Sequence, residues 1–335
     1  MSQPSTSPPS TGSGRAAGVA LAIVAGLAAA LQSRVNGSLA TAMDSPFVAA
    51  FFSFSSGLVL LLVALAFSPT GRAAVRRVGT GLRTGGLRPW ECLGGLGGAF
   101  FVMSQGLTVD VLGVAVFTVA LVAGQSVSSL VIDRVGIAPG GVRLVTLGRV
   151  LGPALTVVAV VVVSGAGAST AALALALFPL VAGVLQSFQQ ALNGRVRSAV
   201  RVTTPAGARA RLGGDGGVIA ATVVSFVVGT AALLVVMGVA LAVGGAPAGG
   251  LPPDLLLYSG GLLGVTFIAL QAAVVQRIGV LLLGLGMIAG QVVGALVLDV
   301  LSPTIAPPGA ATYVGAALTL VAVAVPLLEG ALRRR

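Results

Sequence analysis

The stretches AGLAAALQSRVNG (residues 25–37) and AGVLQSFQQALNG (residues 182–194) decide the fold, because they are two copies of one sequence. Aligned, they superimpose Gly26 on Gly183, Gln32 on Gln189, Asn36 on Asn193 and Gly37 on Gly194. Three further blocks match in the same order: Ser53, Phe54 and Gly57 with Ser225, Phe226 and Gly229; residues 94–133 with 260–299; and residues 152–156 with 315–319. Four ordered matches indicate a duplicated unit that covers most of the chain. We predict repeats at residues 16–165 and 166–330, between an N-terminal tail at 1–15 and a basic tail at 331–335.

The composition is that of an integral membrane protein. The chain is 56% hydrophobic and 8% charged, and its mean hydropathy is +1.07. A net charge of +11 would suggest nucleic-acid binding in a soluble protein. Here every basic residue is arginine and nearly all lie in short loops between apolar runs, so no nucleic-acid partner is expected and the lipid bilayer is the expected environment.

Ten apolar runs are long enough to cross a bilayer, which takes about 20 residues per helix. They lie near residues 16–37, 46–67, 90–109, 112–132, 145–164, 171–193, 217–243, 255–274, 279–300 and 310–328. Their polarity does not alternate as it would in barrel strands. The sequence therefore predicts an all-α membrane protein with ten transmembrane helices, and it places tight turns at Val109-Asp110 and Gln276-Arg277.

The arginines predict the orientation. They fall after predicted helices 2, 4, 6, 8 and 10 and are absent after helices 3, 5, 7 and 9. Such a bias places the even-numbered loops and both termini in the cytoplasm. Because each unit has an odd number of crossings, the second enters the membrane from the opposite side, so the repeats are inverted.

The N-terminal residues 1–15 are rich in Ser, Pro, Thr and Gly and are expected to be disordered. The apolar run that follows could be read as a cleaved signal peptide. We expect a retained helix instead, because the run has an internal copy at residues 171–195, where no signal peptide can lie.

Amide side chains within the spans are the candidates for substrate binding. They are Gln32, Asn36, Gln105, Gln125, Gln189, Asn193, Gln271 and Gln291. Amides at membrane depth either bond other helices, at about 0.6 kcal/mol per bond, or line a wet cavity. For Gln32 and Gln189 both readings stay open. Cavity lining is favoured for Gln125 and Gln291, because each ends an Ala-Gly-Gln triplet.

Four charged residues are further candidates: Arg34, Glu91, Asp133 and Asp299. Arg34 either extends to the outer surface or holds an anionic group of the substrate. Asp133 and Asp299 are expected to cap helices or to pair with a nearby arginine such as Arg134. Glu91 is expected at the cytoplasmic mouth of the third helix.

Glycines at four-residue spacing indicate close helix packing. They are Gly94, Gly98, Gly260, Gly264, Gly286, Gly290 and Gly294. A sliding interface between helices is the alternative reading.

The sequence argues against catalysis. There is no histidine, no lysine and hence no P-loop, and one cysteine, Cys92. No metal, no cofactor and no enzymatic activity are expected. A channel or a magnesium-type cation permease remains an alternative, although no acidic ring is visible, and a non-transporting membrane enzyme or scaffold is a weaker one.

These features resemble the drug/metabolite transporter superfamily. The AG-x5-Q-x3-NG opening, the Ser-Phe-x2-Gly of the second helix and the later Gly-Gln resemble its inner-membrane exporter branch, whose members carry this unit single or fused. The resemblance implies a secondary transporter of a small polar or amphipathic metabolite in the cytoplasmic membrane, working by alternating access, in the export direction. It also implies that helices 3, 4, 8 and 9 flank the path while helices 5 and 10 pack at the periphery. The Arg-rich insert at 197–214 departs from the first unit, and a homodimer is left open.

Overall fold

A computed structural model describes residues 12–137, 141–142, 147–165, 170–202, 216–302 and 307–332. Within these ranges the chain forms nine α-helices and no strand. The helices are α1 (Gly12–Met43), α2 (Pro46–Phe67), α3 (Pro69–Arg83), α4 (Gly95–Val135), α5 (Leu147–Gly165), α6 (Thr170–Val202), α7 (Gly216–Gly244), α8 (Gly260–Leu301) and α9 (Ala310–Leu332). Two short 3-10 helices, Pro89–Cys92 and Leu255–Ser259, precede α4 and α8.

The helices are those of an integral membrane protein. Six stretches of the described chain are long and apolar enough to span a bilayer, and three shorter helices are also apolar. Local signals set some of the boundaries. Ser45 caps α2 by accepting a hydrogen bond from the Val48 amide, and Pro46 occupies the first turn, where a missing N–H costs nothing.

Helix α4 folds back on itself at Gly113. This glycine has a φ of 81°, which L side chains rarely adopt, and the backbone is non-helical there. Before the break, Gly94 lies against Asn193 and Gly98 against Gln189, so α4 runs antiparallel to α6. After it, Gly124 lies against Leu180, and Ser128 donates to the Val184 carbonyl, so the two helices run parallel. The turn predicted at Val109-Asp110 is therefore displaced to Gly113, and Asp110 is helical.

Helix α8 shows the same reversal against α1. Gly260 approaches Asn36 and Gly264 approaches Gln32, which is an antiparallel order. Further along, Gly290 approaches Ile23 and Gly294 approaches Leu27, which is a parallel order. Both α4 and α8 are thus helical hairpins, and each packs along the first helix of the other repeat.

Equivalent helices of the two repeats point in opposite directions. Gln105 in the first arm of α4 donates to Ser33, and further along both helices Thr41 donates to Asp110, so α1 runs parallel to this arm. The same arm runs antiparallel to α6, as the contacts of Gly94 and Gly98 show. Helices α1 and α6 are consequently antiparallel.

The segment after α2 is a helix rather than the predicted loop. Helix α3 buries Gly71, Ala74, Val78 and Gly81 on one face. These contact α6 and α7 in a cluster that includes Val196 and Ala220. Arg72, Arg76 and Arg83 are exposed on the other face, so α3 is amphipathic. At the N-terminus, α1 begins at Gly12, within the segment expected to be a tail; residues 1–11 lie outside the described part.

Helices α5 and α9 pack against each other away from the centre. A Cβ at Gly315 would lie 3.1 Å from the carbonyl oxygen of Ala159, so the backbones are close here. This pairing joins the last helices of the two repeats.

Candidate functional site

A cavity of about 410 Å³ lies where the two repeats meet. It is lined from α1, α2, α4, α6, α7 and α8, and no described residue of α5 or α9 reaches it. This agrees with the peripheral position expected for the fifth and tenth predicted helices, but α1, α2, α6 and α7 contribute as much as the hairpins do. The volume suits a small metabolite.

Five of the eight amide candidates line the cavity: Gln32, Gln125, Gln189, Asn193 and Gln291. The structure adds Gln186, Gln190 and Arg197, with Phe54, Phe101, Phe226 and Phe267 as apolar walls. Gln271 has no described side chain. The cavity is therefore a mixed surface of amides and aromatic rings.

One face of α6 supplies most of the polar lining. Residues 186, 190, 193 and 197 follow one another at spacings of three or four, and residue 189 lies beside 190, which puts these side chains on one side of a helix. Gln125 donates a hydrogen bond to Gln186, and Ser187 donates to the Gln125 carbonyl oxygen at 3.1 Å. These contacts hold the second arm of α4 against α6, so Gln125 both bonds another helix and lines the cavity.

A buried amide network lies at the end of the cavity near the C-terminal part of α1. Asn36 donates to Gln105 at 2.6 Å and accepts from Ser53 at 2.7 Å, and Gln105 donates to Ser33 at 2.8 Å. Asn36 and Gln105 are 2% and 0% exposed. These two candidates bond neighbouring helices and do not line the cavity.

The equivalent end near the C-terminal part of α6 repeats part of this network. Ser225 donates to Asn193 at 2.6 Å, as Ser53 does to Asn36. Yet Asn193 and Gln189 are half-buried, whereas Asn36 and Gln32 are buried. Pseudo-equivalent residues are thus packed at one end and more open at the other.

The four charged candidates lie outside the cavity lining, and each has a protein partner. Arg34 pairs with Asp110 at 3.3 Å, and Thr41 donates to the same carboxylate. Arg34 therefore neither stands alone at the surface nor lines the cavity.

Glu91 accepts from Arg195 at 2.9 Å, and Arg195 also lies over the ring of Trp90. Asp133 pairs with an arginine, as one of the two predictions had it, but the partner is Arg149 at 3.0 Å and not Arg134. Neighbours on a helix point about 100° apart, which keeps Arg134 from folding back onto Asp133.

Asp299 closes the hairpin of the other repeat. Its carboxylate accepts from the amides of Val114 and Ala115 at 2.8 and 2.7 Å, just after the break at Gly113. This is a capping role, as predicted, but the capped helix belongs to the first repeat.

The glycine candidates mark close helix crossings. A Cβ on Gly290 would clash with the carbonyl oxygen of Ile23, and one on Gly26 would lie 2.6 Å from the Gln291 amide. The equivalent crossing joins Gly124 and Gly183, where a Cβ on Gly183 would lie 2.8 Å from the Gln125 amide. Gly286 and Gly294 face α1 in the same way, and Gly98 and Gly264 line the cavity.

Sequence reasoning passed over Arg197 because it opens the Arg-rich insert. Helical periodicity was the signal that would have found it, since α6 continues to Val202. The rest of the insert, residues 203–214, lies outside the described part.

Among the described residues, no three His, Cys, Asp or Glu side chains form a group that could hold a metal.

The comparisons with known proteins identify one family. A family described as "Putative inner membrane exporter, YdcZ" matches residues 17–162 and, a second time, residues 200–325. No curated protein and no solved structure matches the chain.

Proposed function

The chain belongs to the YdcZ family of inner membrane exporters, and from this premise we propose that it exports a small polar or amphipathic metabolite by alternating access through the central cavity. The chain has no P-loop of its own, which supports secondary transport in this proposal. The observation that carries the proposal is the unequal packing of the two cavity ends, since a carrier at rest is open on one side only.

The proposal includes ten crossings in two inverted units. Helix α4 has 41 residues, and at 1.5 Å per residue it is about twice as long as a bilayer core is thick. Its reversal at Gly113 and the reversal in α8 give each repeat five crossings. The antiparallel directions of α1 and α6 support the inverted relationship.

The arginine distribution supports an inward-open state. Arg195, Arg197 and Arg201 follow the half-open end of the cavity, and arginines accumulate on the cytoplasmic side. The buried network of Asn36 and Gln105 then closes the periplasmic end. In the alternate state the two ends exchange: Asn193 becomes buried and Asn36 becomes accessible.

Thiol labelling tests this mechanism. In a Cys92→Ser background, Gln189→Cys should react with a membrane-impermeant maleimide in inverted vesicles, where the cytoplasmic face is outside. Gln32→Cys should react from the periplasmic face, in spheroplasts, and only slowly. Val59→Cys, on a side 58% exposed toward lipid, is the control and should not react.

The outcomes separate carrier from channel. Reaction of both cysteines from both faces at similar rates identifies an open channel and contradicts alternating access.

Topology is tested in the same background with Thr80→Cys and Ala246→Cys, which follow equivalent helices. Labelling of both from one face would contradict the inverted repeats.

A further inference from the structure

The cavity carries one charge among its described lining residues, and that charge is positive. Among the described residues that line the cavity, Arg197 is the one ionised side chain, and none of them is Asp or Glu. The remaining polar lining consists of neutral amides and Thr222. An organic cation would find no carboxylate to replace its hydration, and it would meet the guanidinium at close range.

Arg197 is available to a ligand in a way that its neighbour is not. Its Nε is buried and has no hydrogen-bond partner within the described part of the chain. Arg195, two positions earlier, is occupied: it donates to Glu91 at 2.9 Å and to the Ile137 carbonyl at 2.6 Å. No described carboxylate forms an ion pair with Arg197, so its guanidinium on the cavity wall can pair with an anionic ligand group.

The position of Arg197 is asymmetric. In the alignment of the repeats it falls on Ala40, which is 4% exposed and packs against Gly106. The cavity consequently has a positive end toward the C-terminus of α6, an amide wall along α6, and aromatic rings from Phe54 and Phe226.

We propose that the cavity binds an anionic metabolite whose carboxylate or other anionic group pairs with Arg197 and whose hydrogen-bonding body lies along the glutamines of α6. The proposal rests on the central cavity being the transport site. It deepens the proposed function by naming the substrate class as organic anions with amide or hydroxyl groups, and it excludes organic cations.

A matched set of probes tests it. N-acetylphenylalanine, N-acetylphenylalaninamide and phenylalaninamide share one skeleton and are an anion, a neutral molecule and a cation at pH 6, where the measurements are made. Binding is measured by isothermal titration calorimetry on the full chain in lipid nanodiscs. We expect the anion to bind about 10- to 100-fold more tightly than the neutral amide, the range of a charge-assisted hydrogen bond, and the cation to bind weakest.

Three variants assign the preference to one residue. Arg197→Gln should abolish the difference in affinity between the anion and the neutral amide. Arg197→Lys should keep part of the preference. Arg201→Gln changes the net charge by the same amount on an exposed residue one turn further along α6, and it should behave like the wild type.

Any of three outcomes overturns the proposal. The cation binds more tightly than the anion, the preference for the anion persists in Arg197→Gln, or the anion does not bind. Nanodiscs have no separate compartments, so equilibrium binding does not depend on transport. If alternating access is wrong, the thiol labelling fails while these affinities stay as predicted. If the anion preference is wrong, the affinities fail while the labelling stays as predicted.

Discussion

Phe54 stacks on Phe226 with ring centroids 4.7 Å apart and the ring planes 29° from parallel. The two residues are equivalent in the alignment of the repeats, so this contact joins the two repeats. Each ring also lies against a glycine of the other's helix: Phe226 against Gly57, and Phe54 against Gly229. The aromatic pair is both a wall of the cavity and the joint between α2 and α7.

Because the two phenylalanines are equivalent, Phe54→Ala and Phe226→Ala should destabilise the protein similarly. Each removes a ring that is 6% or 5% exposed, and we expect a loss of about 3 kcal/mol, at the lower end for such truncations because one side faces a cavity. Thermal unfolding in detergent measures it. Phe67→Ala, at a position 84% exposed, is the control. A large loss in only one of the two variants would contradict a joint shared by the repeats.

Because of the glycine crossings, the effect of a Gly→Ala substitution on stability should depend strongly on its position. Gly183→Ala and Gly124→Ala place a Cβ against the carbonyl oxygens of Leu121 and Leu180, so α4 and α6 must separate. Gly238→Ala, where a Cβ meets nothing within 4 Å, should be neutral or stabilise α7 by up to about 1 kcal/mol. In thermal unfolding, Gly238→Ala should have a much higher unfolding temperature than the other two variants. Equal stability of all three variants would contradict the close crossing of α4 and α6.

The cavity amides predict a loss of transport without a loss of insertion. Gln125→Leu and Gln291→Leu keep the approximate volume and remove the hydrogen-bonding groups, so efflux of N-acetylphenylalanine from proteoliposomes should fall about ten-fold for each good bond lost. Membrane yield and size-exclusion profile should match the wild type. Wild-type efflux by both purified variants would remove these residues from the site.

The ion pair at the closed end predicts a change in the balance of states. Asp110→Asn weakens the contacts to Arg34 and Thr41, and a partly exposed pair is worth up to about 1 kcal/mol. Periplasmic labelling of Gln32→Cys should then rise by up to about five-fold. Asp133→Asn removes an ion pair with Arg149 that does not line the central cavity, and it should leave the labelling rate unchanged. If Asp110→Asn leaves the labelling rate of Gln32→Cys unchanged, the pair of Arg34 and Asp110 does not hold this end closed.

Much of the architecture could be predicted from the sequence because duplication leaves equivalent residues in equivalent places. The alignment pairs Asn36 with Asn193 and Ser53 with Ser225, and the structure shows the same Ser-to-Asn hydrogen bond in both repeats. The choice of partner could not be predicted. Packing α1 on its own hairpin or on that of the other repeat satisfies the same pattern, and only the three-dimensional fit selects α8.

Local polarity misled the prediction in two places. Asp110 suggested a turn, yet it remains helical because Arg34 and Thr41 satisfy its carboxylate. The arginines between Ser68 and Arg88 suggested a loop, but their spacing leaves Ala74 and Val78 on one face of α3, where Val196 and Ala220 complete the packing. Both corrections depend on residues far away in the chain.

The packing of α1 on α8 has a consequence for synthesis on the ribosome. When α1 enters the bilayer, the helix that its glycines and amides fit has not been translated. At about 5 to 20 residues per second, residues 260–301 follow α1 only after roughly 10 to 45 seconds. During that interval Gln32 lacks Gly264 beside it, and Gly26 lacks its crossing with Gly290. The nascent chain must be held in the membrane by other means until its final third emerges, so a ribosome that stalls before residue 260 leaves an unfinished bundle for quality-control proteases.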